Sequence, residues 1–143
     1  MQRAPEKSLH FKAIELPKGC WESNFENSRM VQAGDSLFVF CSDLYNPLQV
    51  WQIDKVDSAE PRFTQLPTLK RRVTKYAIAT YREQKVYITG GQKGNQKLVS
   101  VFNLVKKQWS EAPSLNMATE HHASCFIGKK LYVFGGMITP HII

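Results

Sequence analysis

The stretch Val86-Tyr87-Ile88-Thr89-Gly90-Gly91 decides how this chain folds, because it returns as Leu131-Tyr132-Val133-Phe134-Gly135-Gly136 at an offset of 45 residues. Its apolar part has an earlier copy, Leu37-Phe38-Val39-Phe40-Cys41-Ser42, 49 residues before the middle one, with Cys41-Ser42 in place of the two glycines. Two further markers recur in the same order. Phe63-Thr64-Gln65-Leu66-Pro67 matches Trp109-Ser110-Glu111-Ala112-Pro113 at an offset of 46, and Leu48-Gln49-Val50-Trp51 matches Val99-Ser100-Val101-Phe102 at 51. Phe11 with Pro17 is a looser forerunner of the first of these. The uneven offsets place insertions in loops, since the step from Trp51 to Phe63 is five residues longer than that from Phe102 to Trp109.

Each unit reads as four short strands rich in β-branched and aromatic residues and separated by turn residues. In the middle unit the pattern predicts strand a over 76–81, a turn at Arg82-Glu83-Gln84, strand b over 85–89, strand c over 98–104 and strand d over 108–111. Within strand c, Val99 and Val101 alternate with Ser100 and Phe102, a period of two. No segment carries a sustained 3.6-residue apolar stripe, so the chain is expected to be all-β.

These residues resemble the kelch repeat. An apolar strand b closed by Gly90-Gly91, an aromatic late in strand c (Phe102) and a tryptophan seven residues later (Trp109) carry the likeness. Gly135-Gly136 opens another copy, with His122-Ala123 in the usual strand-a position. The first unit departs from the pattern, with Cys41-Ser42 for the diglycine and Phe63 for the tryptophan. The resemblance implies a kelch-type β-propeller fragment of about two to three four-stranded antiparallel blades. Its divisions are expected at 1–27, an N-terminal segment with strand d of a preceding blade near 9–16; 28–67, a degenerate unit; 68–113, a full unit; and 114–143, strands a and b only. Glycine is expected where backbones crowd at the end of strand b, and Phe102 and Trp109 are expected to fill the space between blades. His122 is expected to pack rather than to react. Eleven strands fall short of the roughly 16–32 of a closed propeller. The chain is therefore expected to be a fragment or an arc that another chain completes, and open blade edges invite self-association.

With 143 residues, 43% hydrophobic and 22% charged, the composition is that of an ordinary globular chain, neither collagen-like nor disordered. No run of 18 apolar residues suggests a membrane helix, and no apolar run after the N-terminus suggests a signal peptide. Cys20, Cys41 and Cys125 are odd in number and widely spaced, which argues against a disulfide framework and for a reducing, cytoplasmic location. The net charge of +7 sits in one place. Eight of the 19 basic residues and one of the 12 acidic ones lie between 70 and 97, leaving eleven of each elsewhere.

That basic segment is the candidate partner-binding surface. In a four-stranded meander the b–c and d–a loops emerge at one mouth and the a–b and c–d loops at the other, so Lys70, Arg71, Arg72 and Lys75 should converge with Gln92, Lys93, Asn95 and Lys97. Arg82 and Lys85 belong to the opposite rim. Arginines beside amide donors suit carboxylates or phosphates, so an acidic or phosphorylated protein segment is the expected ligand. No catalytic residue, metal or cofactor is assigned. His121, His122 and Cys125 are poor metal ligands, since alternation turns adjacent histidines to opposite faces. Glu111 and Glu120 form no more of a carboxylate pair than chance provides, and no phosphate-loop, dinucleotide, zinc-protease or nucleophile-elbow motif is present. Nucleic acid is disfavoured as a partner, because no recognition motif accompanies the cations. The alternative from another class is part of a kelch-type propeller enzyme, oxidase-like or sugar-acid-epimerase-like.

Overall fold

A computed structural model describes residues 27–43, 45–92, 94 and 96–137, together with Phe11, Ala13 and Ile14. The expected strand near 9–16, Lys93 and Asn95 therefore lie outside the described residues or mostly so. The described chain is all-β, with ten strands in chain order. The first sheet comprises β1 (Asn27–Ala33), β2 (Ser36–Ser42), β3 (Gln49–Asp54) and β4 (Arg62–Leu66). The second comprises β5 (Ala77–Tyr81), β6 (Lys85–Thr89), β7 (Val99–Asn103) and β8 (Gln108–Ala112), and a hairpin of β9 (Glu120–Ile127) and β10 (Lys130–Met137) follows. Each four-stranded sheet is an antiparallel meander with its strands in sequence order, the form expected of a blade.

Period-two patterning sends the two faces of each sheet to different neighbours. Phe38, Phe40 and Val50 of the first sheet meet Val86, Ile88, Phe102 and Leu104 of the second, with Leu69 and Val73 of the connecting segment between them. The Phe40 ring stands edge-on to Phe102 at 6.0 Å and to Trp109 at 6.3 Å, and Phe102 and Trp109 lie 5.0 Å apart on neighbouring strands. Phe102 is fully buried; Trp109 is only partly so, because its indole reaches the edge and donates a 2.8 Å hydrogen bond to the Pro67 carbonyl. The other face of the second sheet carries Tyr81 and Tyr87, which hold Phe126 of the hairpin at 5.1 and 4.8 Å.

Tyr76, at the entry to β5, fastens the first two sheets. Its hydroxyl lies 3.2 Å from the carbonyls of both Asn27 and Phe40, and burial holds the phenol well above its ordinary range. Tyr76→Phe should cost about 1 kcal/mol in urea denaturation, the usual worth of a buried neutral hydrogen bond. An unchanged midpoint would mean that the hydroxyl does not bridge the sheets.

Candidate functional site

Four connections come together at one end of the sheets: the b–c loops 43–48 and 90–98 and the d–a segments 67–76 and 113–119. Backbone hydrogen bonds tie them into one surface. Leu69 N–H donates to the Leu48 carbonyl at 3.0 Å and Leu48 N–H to the Arg71 carbonyl at 3.4 Å, joining the first b–c loop to the first d–a segment. Gln92 N–H donates to the Thr74 carbonyl at 2.9 Å, joining the second b–c loop to the same segment. Leu115 N–H donates to the Lys97 carbonyl, and Thr119 N–H to that of Gln96, fastening that loop to the next segment as well.

The diglycine makes this convergence possible. Gly90 has φ +63° and Gly91 φ +113°, a region that side chains avoid. A Cβ at Gly90 would lie 2.4 Å from the Thr119 carbonyl oxygen, and one at Gly91 would lie 2.7 Å from that of Thr74. Each glycine thus lets one flanking d–a segment press against the strand end. Gly136 repeats the arrangement, with Glu120 O at 2.7 Å, whereas around Gly135 there is open space. In the first unit β2 runs on through Cys41 and Ser42, neither at positive φ and both fully buried, and burial pushes the Cys41 thiol up to about 12.

The sequence-predicted cations fall into two groups. Lys70, Arg72 and Lys97 are exposed on the tied loops, with Lys75 and Gln92 half-buried beside them. Arg71 instead turns in on its own chain. Its Nη1 is 3.4 Å from Oε2 of Glu111, whose Oε1 accepts a 2.9 Å hydrogen bond from Ser100, and the Arg71 Nε and Nη2 are buried. Lys75, with φ +56°, is held by its backbone: its N–H donates to Asn27 Oδ1 and its carbonyl accepts from His121 N–H. Arg82 and Lys85 stand at the turn between β5 and β6, at the other end of the sheet, where the Arg82 guanidinium covers the Tyr81 ring.

Sequence reasoning missed the loop 43–48. Asp43 is buried and its carboxylate accepts hydrogen bonds from the Tyr45 and Asn46 backbone N–H groups and from Asn46 Nδ2, at 2.7, 2.7 and 2.8 Å, leaving Tyr45 79% exposed beside the basic segment. Its place after strand b of the degenerate unit was the signal that could have found it. The adjacent histidines do point apart: His121 is exposed and His122 is buried, with Nε2 2.8 Å from Thr89 Oγ1. Among the described residues no three His, Cys, Asp or Glu side chains cluster as metal ligands.

Residues 79–116 match the model of the Kelch motif family, a span that holds Gly90, Gly91, Phe102 and Trp109. The chain is similar to Kelch-like protein 25 of Rattus norvegicus, with 31% identity over 127 residues that cover 86% of this chain and 20% of that protein. Similarity to Kelch-like protein 25 of Homo sapiens is 30% over 113 residues, 76% of this chain and 18% of the relative. The chain therefore spans about a fifth of the length of these relatives. The solved structure of YjhT superposes with a TM-score of 0.61 over 80% of this chain and 35% of YjhT, at 17% identity, a likeness of fold alone.

Proposed function

The chain is a kelch-repeat protein with an arc of kelch-type β-propeller, and from that premise we propose that it is a protein-interaction module whose mouth loops bind an acidic or phosphorylated segment. The observation that supports this reading is the tying of loop 90–98, which carries Lys97, to both d–a segments, the first of which carries Lys70 and Arg72. Loops held by these backbone hydrogen bonds have less freedom to lose when a ligand arrives. Glu111 offsets Arg71, and Lys70, Arg72 and Lys97 are exposed on the loops. Exposed cations attract an anionic segment over about 8–10 Å at physiological salt, and each contact contributes modestly.

The test is fluorescence anisotropy with labelled hexaglutamate and a phosphoserine-containing acidic peptide as probes. Replacing Lys70, Arg72 and Lys97 together with alanine should weaken binding about tenfold, and replacing Arg82 and Lys85 should change it less than about twofold. Added salt should reduce the affinity of the parent chain and have little effect on the triple variant. Equal losses from the two variants, or no binding of either probe, would overturn the reading. Arg71 is left intact in this design, because its loss would strand Glu111.

A further inference from the structure

The two joints of the arc are built on the same plan from different chemistry. Tyr76 and His122 lie 46 residues apart, the offset that relates Phe63 to Trp109. The residues just before them, Lys75 and His121, share a positive φ, at 56° and 54°. Each side chain reaches the preceding sheet near the end of its strand b: Tyr76 bonds the Phe40 carbonyl in β2, and His122 bonds Thr89 Oγ1 in β6. The first joint is thus closed by a phenol that stays neutral across the physiological range. The second is closed by an imidazole.

We propose that the joint between the second sheet and the β9–β10 hairpin is pH-sensitive, closed at neutral pH and loosened by acid through protonation of His122, while the joint between the two four-stranded sheets is not. The hydrogen bonds show why a proton is unwelcome. Nε2 lies 2.8 Å from Thr89 Oγ1, which is also 3.4 Å from Ser124 Oγ, so a ring N–H at Nε2 finds an acceptor there. The doubly protonated ring also carries an N–H at Nδ1, which is buried with no hydrogen-bond partner among the described residues. The ring packs directly against Gly90, where Cε1 lies 2.5 Å from the point a Cβ would occupy, so only glycine leaves room for it.

The one carboxylate on the inner face of β9, the buried Glu120, makes no hydrogen bond to Nδ1. On β9, Glu120 shares the inner face, while His121 is on the exposed face; the inner face of β10 carries Leu131, Val133, Gly135 and Met137, none of them titratable. Segment 113–119 has no titratable side chain; among the described residues loop 90–98 contributes the exposed Lys97, segment 67–76 the half-buried Lys75, and β6 Lys85 at its far end. Tyr81 of β5 and Tyr87 of β6 are in ring contact with Phe126. In keeping with this, burial pushes the His122 pKa below its ordinary 6.5, and the Thr89 backbone opposes the shift without cancelling it.

The sign follows from proton linkage. The undocked hairpin takes up a proton as pH falls through 6.5, and the docked one does not until a lower pH. Docking is therefore unaffected above 6.5 and weakens below it, by about tenfold between pH 7.5 and 5.5 when the docked form stays unprotonated. The effect reaches the mouth, because the Thr119 carbonyl accepts from Gly91 N–H, and Leu115 and Thr119 N–H hold loop 90–98. This proposal stands whether or not the mouth binds an acidic segment.

Hydrogen exchange of the full chain at pH 7.5 and 5.5, corrected for the intrinsic pH dependence of exchange, tests it. Protection in β9 and β10 should fall about tenfold at the lower pH while that in β2, β3 and β7 holds, and His122→Tyr should remove the difference. A fall shared by all strands, or the same hairpin response in His122→Tyr, would overturn it. Should the tyrosine variant fail to dock, an NMR titration of His122 in the parent chain decides: a midpoint well below 6.5 supports the proposal, and one at or above 6.5 overturns it.

Discussion

Phe102→Ala should destabilise the chain by about 3–5 kcal/mol, the cost of removing a large aromatic from a core that cannot collapse around the void. Phe102 is wholly buried, stands opposite Val86 and Trp109 in the register, and meets Phe40 of the neighbouring sheet edge-on. Its ring therefore serves three strands and the contact between two sheets. Trp109→Ala should cost less, because part of the indole is in solvent and the Pro67 carbonyl it leaves can turn to water. Urea denaturation monitored by circular dichroism reads both. A loss under about 1 kcal/mol for Phe102→Ala would mean that the two sheets do not meet through this aromatic group.

Gly91→Ala is expected to cost at least about 2–3 kcal/mol, from two independent causes. A φ of +113° lies outside the regions open to alanine, and the new methyl would stand 2.7 Å from the Thr74 carbonyl oxygen and 2.8 Å from Val73 Cγ2. The backbone oxygen cannot retreat without breaking its hydrogen bond from Gln92 N–H, so relief at the strand end disturbs the mouth. Gly34→Ala is the control. That glycine also has a positive φ, +58°, but nothing lies within 4 Å of its Cβ position, so only the backbone cost of about 1–2 kcal/mol remains. Equal losses at the two positions would show that backbone crowding is not what the diglycine relieves.

Much of the fold could be read in the sequence because its evidence is local and periodic. Alternation from Lys85 to Thr89 fixes β6 as observed, and the expected strands a, c and d of the middle unit differ from β5, β7 and β8 by one residue at one or both ends. The recurrence at 45 to 51 residues carried the rest, since a blade cannot bury its faces without neighbours built alike. Side-chain direction was not legible. Nothing local distinguishes Arg71, drawn in by Glu111 forty residues on, from the exposed Arg72 beside it. The partial exposure of Trp109 likewise depends on where Pro67 lies across the sheet edge. His122 could be placed in a strand by its neighbours, but its bond to Thr89 needs the packing of two units, which a pattern within one unit does not contain.

NMR chemical-shift mapping of the full chain titrated with hexaglutamate locates the surface that an anionic segment meets. The amides expected to move lie in 69–75 and 94–97, those of Arg82, Lys85 and the turn after β7 should stay still, and added salt should reverse the shifts. Shifts centred on Arg82 and Lys85, or spread evenly over every lysine and arginine, would contradict the mouth as that surface.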